Sequence, residues 1–174
     1  MLKKATMKAA KSGAGAVSLA IGISDNSAKA IADALNGILA DSYALYLKTK
    51  NFHWHVSGPH FREYHLMFDA QATQILATTD LIAERVRKIG GTTLRSIGDV
   101  ARRQRIDDNN AEIVSAAAMI EELRQDNLTL VAALREAKEL VDEAKDNATS
   151  GVIDTWTDEA EERAWFLFET GRNG

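Results

Sequence analysis

The sequence predicts an all-α protein built as a four-helix bundle. The chain has 174 residues, of which 45% are hydrophobic, and this is enough for one compact domain with its own core. It contains no Cys, which excludes a disulfide framework, thiol catalysis and zinc fingers. It contains a single Pro, Pro59. Apolar residues recur with the 3.6-residue period of amphipathic helices in four long segments that turn signals separate.

Turn and cap signals place the boundaries of these helices. Ser57-Gly58-Pro59 separates the first helix from the second, Gly90-Gly91 ends the second, and residues 147–151 form a break before the fourth. Asp25 or Ser27 is the expected first N-cap. The predicted bounds of the four long helices are 27–56, 61–89, 111–145 and 152–170. The long connection between the second and third helices carries a short extra helix near residues 97–103.

This order of elements predicts a ferritin-like bundle, because the one long connection lies where a closed bundle needs a crossover. The bundle domain is expected to span residues 25–174. Residues 1–24 are expected to form a flexible tail that contains lysines and no acid. The tail carries +4, from Lys3, Lys4, Lys8 and Lys11, and since the whole chain carries −4, residues 25–174 carry −8.

No part of the sequence predicts a membrane-spanning segment, because no apolar run reaches about 18 residues. The stretch AGAVSLAIGI after the first lysines resembles a signal peptide, but it is short, is interrupted by Gly and lacks a convincing cleavage site. We therefore expect a cytoplasmic protein with no membrane partner.

Four side chains that can bind metal lie on one stripe of the second helix: His65, Asp69, Asp80 and Glu84. Each i,i+4 pair can hold one ion from adjacent turns. Asp69 and Asp80, however, lie about 16 Å apart along the helix axis, which is too far for one centre. Either the chain has two unrelated sites, or a second copy packs antiparallel and brings its Asp80 and Glu84 beside the first copy's His65 and Asp69.

His53 ends the first helix and faces the start of the second, so its imidazole can approach His65. Mixed His and carboxylate ligands suit iron that alternates between the ferrous and ferric states, and they also bind zinc, manganese or cobalt. Taken alone, Asp80 and Glu84 would also fit a solvated helix face, paired with Arg85 or Lys88 rather than with a metal ion.

Residues 52–91, FHWHVSGPHFREYHLMFDAQATQILATTDLIAERVRKIGG, carry a specific pattern. It reads HW, a second His twelve residues on, HxxxD, an acid eleven residues further, and DxxAER before GG. The pattern resembles the core signature of the Dps proteins, the miniferritins that bind DNA in starved bacteria, and the resemblance extends from about residue 25 to 170. It implies a hollow homododecamer with di-iron ferroxidase centres across two-fold interfaces. Each centre would combine His53, His65 and Asp69 of one subunit with Asp80 and Glu84 of its partner.

The resemblance also implies the activity. Such a cage oxidises Fe(II), preferably with hydrogen peroxide and otherwise with dioxygen, stores Fe(III) mineral and protects DNA from oxidative damage. Trp54, beside His53, is a candidate to intercept stray oxidising equivalents; a packing or interface role is the alternative.

Cages of this family admit iron through acidic pores at three-fold axes, near the end of the third long helix and the start of the fourth. The candidate pore residues in this chain are Asp142, Asp146 and Asp154, with Asp158 close by. Gly151 departs from the family pattern, because many relatives have an Asp there.

The tail lysines predict non-specific DNA binding, because twelve copies of a +4 tail would contact phosphates multivalently. This activity would place the protein at the nucleoid. The alternative function is mainly a nucleoid-compacting structural protein with a secondary metal site. A manganese catalase-like enzyme is disfavoured, since its ExxH ligands have no EExxH counterpart in this sequence.

Overall fold

The computed structural model describes residues 22–172, and these residues form five helices. They are α1 Asp25–His55, α2 Phe61–Lys88, α3 Ile97–Arg103, α4 Ala116–Glu143 and α5 Asn147–Gly171. α1 packs along α2, α4 packs along α5, and α1 also contacts α4 and α3. The four long helices form the predicted ferritin-like bundle, and α3 lies in the long connection where the sequence places it.

Apolar side chains from all four long helices fill the bundle interior. Among the largest that are fully buried are Leu35 and Phe52 of α1, Phe68 of α2 and Leu134 of α4. Burial of each such side chain stabilises the fold by about 1.5–3 kcal/mol. Because this core sets the rotation of α2, the opposite side of that helix faces outward.

Two helices begin away from their predicted starts because serines cap them. The Ser24 hydroxyl accepts a hydrogen bond from the Ser27 backbone nitrogen at 3.2 Å, so α1 begins at Asp25. The Ser115 hydroxyl accepts from the Ala118 nitrogen at 3.2 Å and starts α4 five residues after the predicted residue 111. Ile113, which the predicted bounds of 111–145 include in this helix, lies before its start, and its side chain is 88% exposed.

The last helix begins at Asn147, five residues before its predicted start. The Asp146 carboxylate accepts a hydrogen bond from the Thr149 nitrogen at 3.1 Å and serves as the N-cap. Lys145, with φ of 57°, makes the left-handed turn between α4 and α5. The predicted break at 147–151 is therefore the first turn of α5.

The long connection is held to α1 by a buried carboxylate. Asp41 has no exposed surface. Its Oδ2 accepts hydrogen bonds from Arg105 Nε at 2.9 Å and Nη2 at 2.6 Å, and its Oδ1 accepts from the Arg105 backbone nitrogen at 2.6 Å. One charged pair thus secures the segment that follows α3.

No helix between residues 22 and 172 is long and apolar enough to cross a membrane. The tail lysines Lys3, Lys4, Lys8 and Lys11 lie outside the described residues.

Candidate metal centre

His53 and His65 hold each other in place across the α1–α2 turn. Nδ1 of each imidazole lies 2.8 Å from the backbone carbonyl oxygen of the other residue. The two rings stack with centroids 3.8 Å apart. A carbonyl oxygen can only accept a hydrogen bond, so Nδ1 carries the proton in both rings. Both Nε2 atoms therefore keep a lone pair for a metal ion, and the hydrogen bonds made by the Nδ1 atoms orient the rings.

Asp69 is the carboxylate closest to this histidine pair. Its Oδ1 lies 3.9 Å from His53 Nε2, and half of its side chain is exposed. Lys50 Nζ donates a hydrogen bond of 2.7 Å to the same oxygen. This bond lowers the pKa of Asp69, and the positive charge of Lys50 adds to the effect. Asp69 is therefore a carboxylate at neutral pH.

Asp80 and Glu84 form a second acidic pair further along α2, and both are exposed. Lys88 Nζ lies 3.0 Å from Glu84 Oε2, the ion pair that a solvated helix face would contain. Within residues 22–172 no three His, Asp or Glu side chains come together as a set that could hold a metal ion. Within the described residues, the candidate ligands of one subunit therefore do not form a complete metal site.

Exposed apolar side chains accompany these ligands on the outward side of α2. Leu66, Leu76 and Leu81 are 55%, 41% and 53% exposed. Trp54, next to His53, is 58% exposed, and Lys50 Nζ lies 5.9 Å from the centroid of its ring system. An apolar face of this kind is typical of a protein–protein contact.

Comparison with known proteins identifies the family. The model of the ferritin-like domain matches residues 32–172. A DNA protection during starvation protein from Brevibacillus brevis is 34% identical over 137 residues, which cover 79% of this chain and 91% of the relative. An uncharacterized low temperature-induced protein from Nostoc is 34% identical over 148 residues, with 84% and 83% covered. This chain belongs to the Dps family of ferritin-like proteins.

Solved structures agree with this assignment. A Dps protein from Bacillus brevis superposes with a TM-score of 0.82 at 31% identity, covering 86% of this chain and all of that one. The Vibrio cholerae Dps protein, described as a member of a broad superfamily of ferritin-like diiron-carboxylate proteins, gives 0.85 at 25% identity and covers 92% of this chain. The Dps resemblance drawn from residues 52–91 is confirmed.

The three candidate pore acids of this Dps protein have different surroundings. Asp146 is buried, and its two oxygens accept from Arg85 Nη2 at 3.1 and 3.2 Å as well as from Thr149. The exposed acids Asp142 and Asp154 share a lysine, since Lys138 Nζ lies 3.8 Å and 2.8 Å from their carboxylates. Asp158 is exposed as well.

The interior of this Dps bundle holds a buried guanidinium. Arg163 of α5 is 4% exposed, and it donates to Asn127 Oδ1 and to Gln74 Oε1, both at 2.8 Å. Burial lowers its pKa to about 10, so it is charged at neutral pH. A fixed cation repels metal ions, which argues against a dinuclear site between the four helices of one subunit.

Lys50, which contacts Asp69, and Lys138, which contacts Asp142 and Asp154, are neighbours of the candidate residues that sequence reasoning missed. Lys50 lies three residues before His53 on α1, which places it on the same face of that helix, and this spacing could have revealed it. Lys138 and Asp142 are spaced i,i+4, which also places them on one face of a helix. Arg163 gives no such signal, because a charged residue in an amphipathic pattern reads as exposed.

Proposed function

We propose that this Dps-family chain oxidises Fe(II) at centres that two subunits share, and stores the product as Fe(III) mineral. The observation that carries the proposal is the separation of the candidate ligands into two groups, one at the α1–α2 turn and one further along α2. His53, His65 and Asp69 form one half, with both Nε2 atoms available, and Asp80 and Glu84 form the other. The two halves lie about 16 Å apart on one face, so an antiparallel neighbour is needed to join them.

The positions of the ligands define the symmetry of the proposed dimer. In a two-fold antiparallel pairing of α2, Asp69 faces Asp80 of the partner and His65 faces Glu84 of the partner. Both pairings place the two-fold axis between residues 74 and 75, so one contact builds two identical centres. Leu66, Leu76 and Leu81 lie on this exposed side and would be buried by it.

The proposed chemistry follows from the pairing of two ferrous ions. Each gives one electron, so two Fe(II), one hydrogen peroxide and two protons yield two Fe(III) and two waters. Because peroxide takes up both electrons together, no hydroxyl radical is released. The imidazole nitrogens position the ferrous substrate, and the carboxylates stabilise the higher charge of the product electrostatically. Dioxygen is the alternative oxidant.

We further propose a dodecameric cage, with iron entering through pores to which Asp142 and Asp154 contribute. Carboxylates around a narrow opening concentrate cations there. Asp146 is a weaker candidate, because both of its oxygens already accept hydrogen bonds from Arg85 and Thr149. Trp54 is exposed beside His53, as an interceptor of oxidising equivalents would need to be.

Non-specific DNA binding by the tail belongs to the same proposal. Lys3, Lys4, Lys8 and Lys11 would contact phosphates, and binding should weaken steeply with salt. The second candidate function is nucleoid compaction with the metal centre secondary, and the tail's charge supports it. A full-length variant with these lysines changed to Gln should lose compaction and keep iron oxidation if the two activities are separate.

Subunit complementation tests the shared centre directly. The variant with His53→Ala and His65→Ala, and the variant with Asp80→Ala and Glu84→Ala, should each fail to oxidise iron with peroxide. A mixed heterodimer contains one intact centre and one lacking both halves. Random mixing in cells that express both should therefore restore about a quarter of the parent activity, since half of the dimers are mixed.

The control and the contradicting result are equally specific. The His55→Ala variant should keep parent activity, because His55 Nδ1 bonds Asn51 O and its ring lies on another side of α1. If the co-expressed mixture stays as inactive as its parents, the centre does not combine residues of two subunits. A mass far below twelve times the 19.0 kDa chain would contradict the cage.

A further inference from the structure

One segment of the folded domain is strongly basic. Residues 85–105 contain seven of the 21 Lys and Arg residues and a single acid, Asp99, which gives +6. Since residues 25–174 carry −8 in total, the rest of the domain carries −14. The basic segment comprises the end of α2, the first part of the long connection and α3. Positive charge is therefore concentrated at one place on an acidic body.

Three of these seven cations form no side-chain salt bridge among residues 22–172, although the Arg95 backbone nitrogen donates to Asp99. The other four are held in ion pairs or hydrogen bonds, in the pairs Arg85–Asp146, Lys88–Glu84, Arg102–Asp99 and Arg105–Asp41. Arg87, Arg95 and Arg103 are exposed, and none has an acid within ion-pair distance among residues 22–172. An arginine left without a counter-ion on an acidic protein remains available to an external anion.

Two of the free arginines meet at one cavity. Arg95 and Arg103 line a recess of about 180 Å³, where the long connection crosses α1. Asp99 also lines it and pairs with Arg102, so the two lining arginines outnumber this one acid. Thr93 also lines it, and its hydroxyl is buried without a hydrogen-bond partner among the described residues. The recess has room for several waters or for one phosphate group. Two guanidinium groups and a hydroxyl form a set of donors that fits phosphate oxygens.

We infer that this basic surface, defined by Arg87, Arg95 and Arg103, binds the phosphate backbone of double-stranded DNA independently of the N-terminal tail. The inference rests on the DNA-binding part of the proposed function. Guanidinium contacts to backbone phosphates release counterions and read no sequence. The surrounding negative charge repels DNA, so the duplex approaches the domain at this surface.

The experiment uses full-length protein in which Lys3, Lys4, Lys8 and Lys11 are changed to Gln. This variant should still shift a short duplex at low salt. Adding Arg95→Gln and Arg103→Gln should lower the apparent affinity at least about tenfold and reduce the salt slope by about two, for any duplex sequence. The matched control adds Arg124→Gln and Arg135→Gln, which remove the same charge from arginines already paired with Glu121 and Glu161. It should change affinity less than about twofold.

Three outcomes would overturn the inference. They are loss of all DNA binding when only the tail lysines are changed, an equal loss in both double variants, and binding of inorganic phosphate by Arg95 and Arg103 with no retention of DNA. Size-exclusion and circular dichroism confirm that each variant keeps the parent fold. Iron oxidation measured on the same samples is independent of these results, so failure here is distinguishable from failure of the ferroxidase proposal.

Discussion

Lys50 Nζ lies 2.7 Å from Asp69 Oδ1 and forms a salt bridge with the carboxylate closest to the histidine pair. Lys88 does the same to Glu84 at 3.0 Å in the other half of the centre. In both candidate halves a lysine pairs with a carboxylate: the Lys50 side chain is 18% exposed and the Lys88 side chain is 59% exposed. A ferrous ion that binds either carboxylate must compete with an ammonium group.

Replacing Lys50 by Gln should therefore strengthen metal binding. Without the competing ammonium, affinity of the assembled protein for Fe(II) or Co(II) should rise at least about two- to fivefold, since that is the range for an exposed ion pair and this pair is only partly exposed. Isothermal titration calorimetry measures this affinity. Lys29→Gln, on the exposed start of the same helix, is the control and should have no effect. Unchanged affinity in Lys50→Gln would contradict the competition.

Lys50→Gln should also change the pKa of Asp69. The pKa of Asp69 is lowered from 3.8 chiefly by the hydrogen bond from Lys50, so the carboxylate of the parent protonates only below that pH. The stabilisation from this contact is present above the unfolded pKa and is lost as pH falls through the folded pKa. In Lys50→Gln the titration midpoint of Asp69, followed by carboxyl NMR, should move upward.

Asp41→Asn should destabilise the fold by about 1–3 kcal/mol, because it weakens the charge-assisted hydrogen bonds that Arg105 donates to the buried Asp41 side chain. Urea unfolding measures the change, and hydrogen exchange should show faster exchange at Arg105, whose backbone nitrogen bonds Asp41. The exposed Arg135–Glu161 pair provides the control, since Arg135→Gln should cost under about 1 kcal/mol. Equal costs for the two variants would refute the anchoring role of Asp41.

Gly91→Ala should destabilise the protein by about 1–3 kcal/mol through overpacking. A Cβ at this position would lie 2.8 Å from the Cβ of Ala32 and 3.0 Å from Cγ1 of Val86. Gly151, in α5, has nothing within 4 Å of an added Cβ, so Gly151→Ala should stabilise by up to about 1 kcal/mol. Thermal unfolding of both variants checks the opposite signs.

Lys138→Gln should speed iron loading, given the proposed pore. The change removes the cation shared by Asp142 and Asp154 and leaves two unpaired carboxylates to attract Fe(II). We expect the loading rate to rise about two- to tenfold at low ionic strength and the gain to shrink with added salt. Stopped-flow absorbance measures it. An unchanged rate would place iron uptake elsewhere.

The amount that could be predicted from the sequence differs between the helices and their contacts. His65, Asp69, Asp80 and Glu84 could be placed on one stripe because helical period alone fixes the angles along α2. The starts of α4 and α5 could not be predicted from the sequence. Several neighbouring residues can serve as N-caps besides Ser115 and Asp146, and packing decides among them. The long connection was harder still, because the Asp41–Arg105 pair joins residues 64 positions apart.

By itself, the sequence determined the four-helix bundle, the family and the spacing of the candidate metal ligands along the chain, because apolar period and residue spacing are local properties of the chain. Only the tertiary structure showed what those ligands touch. The reciprocal His53–His65 bonds, the buried Arg163 and the two arginines at the recess depend on helices and loops distant in sequence coming together. The alignment of His65, Asp69, Asp80 and Glu84 along α2 thus follows from local sequence, whereas packing decides which charged residues surround them.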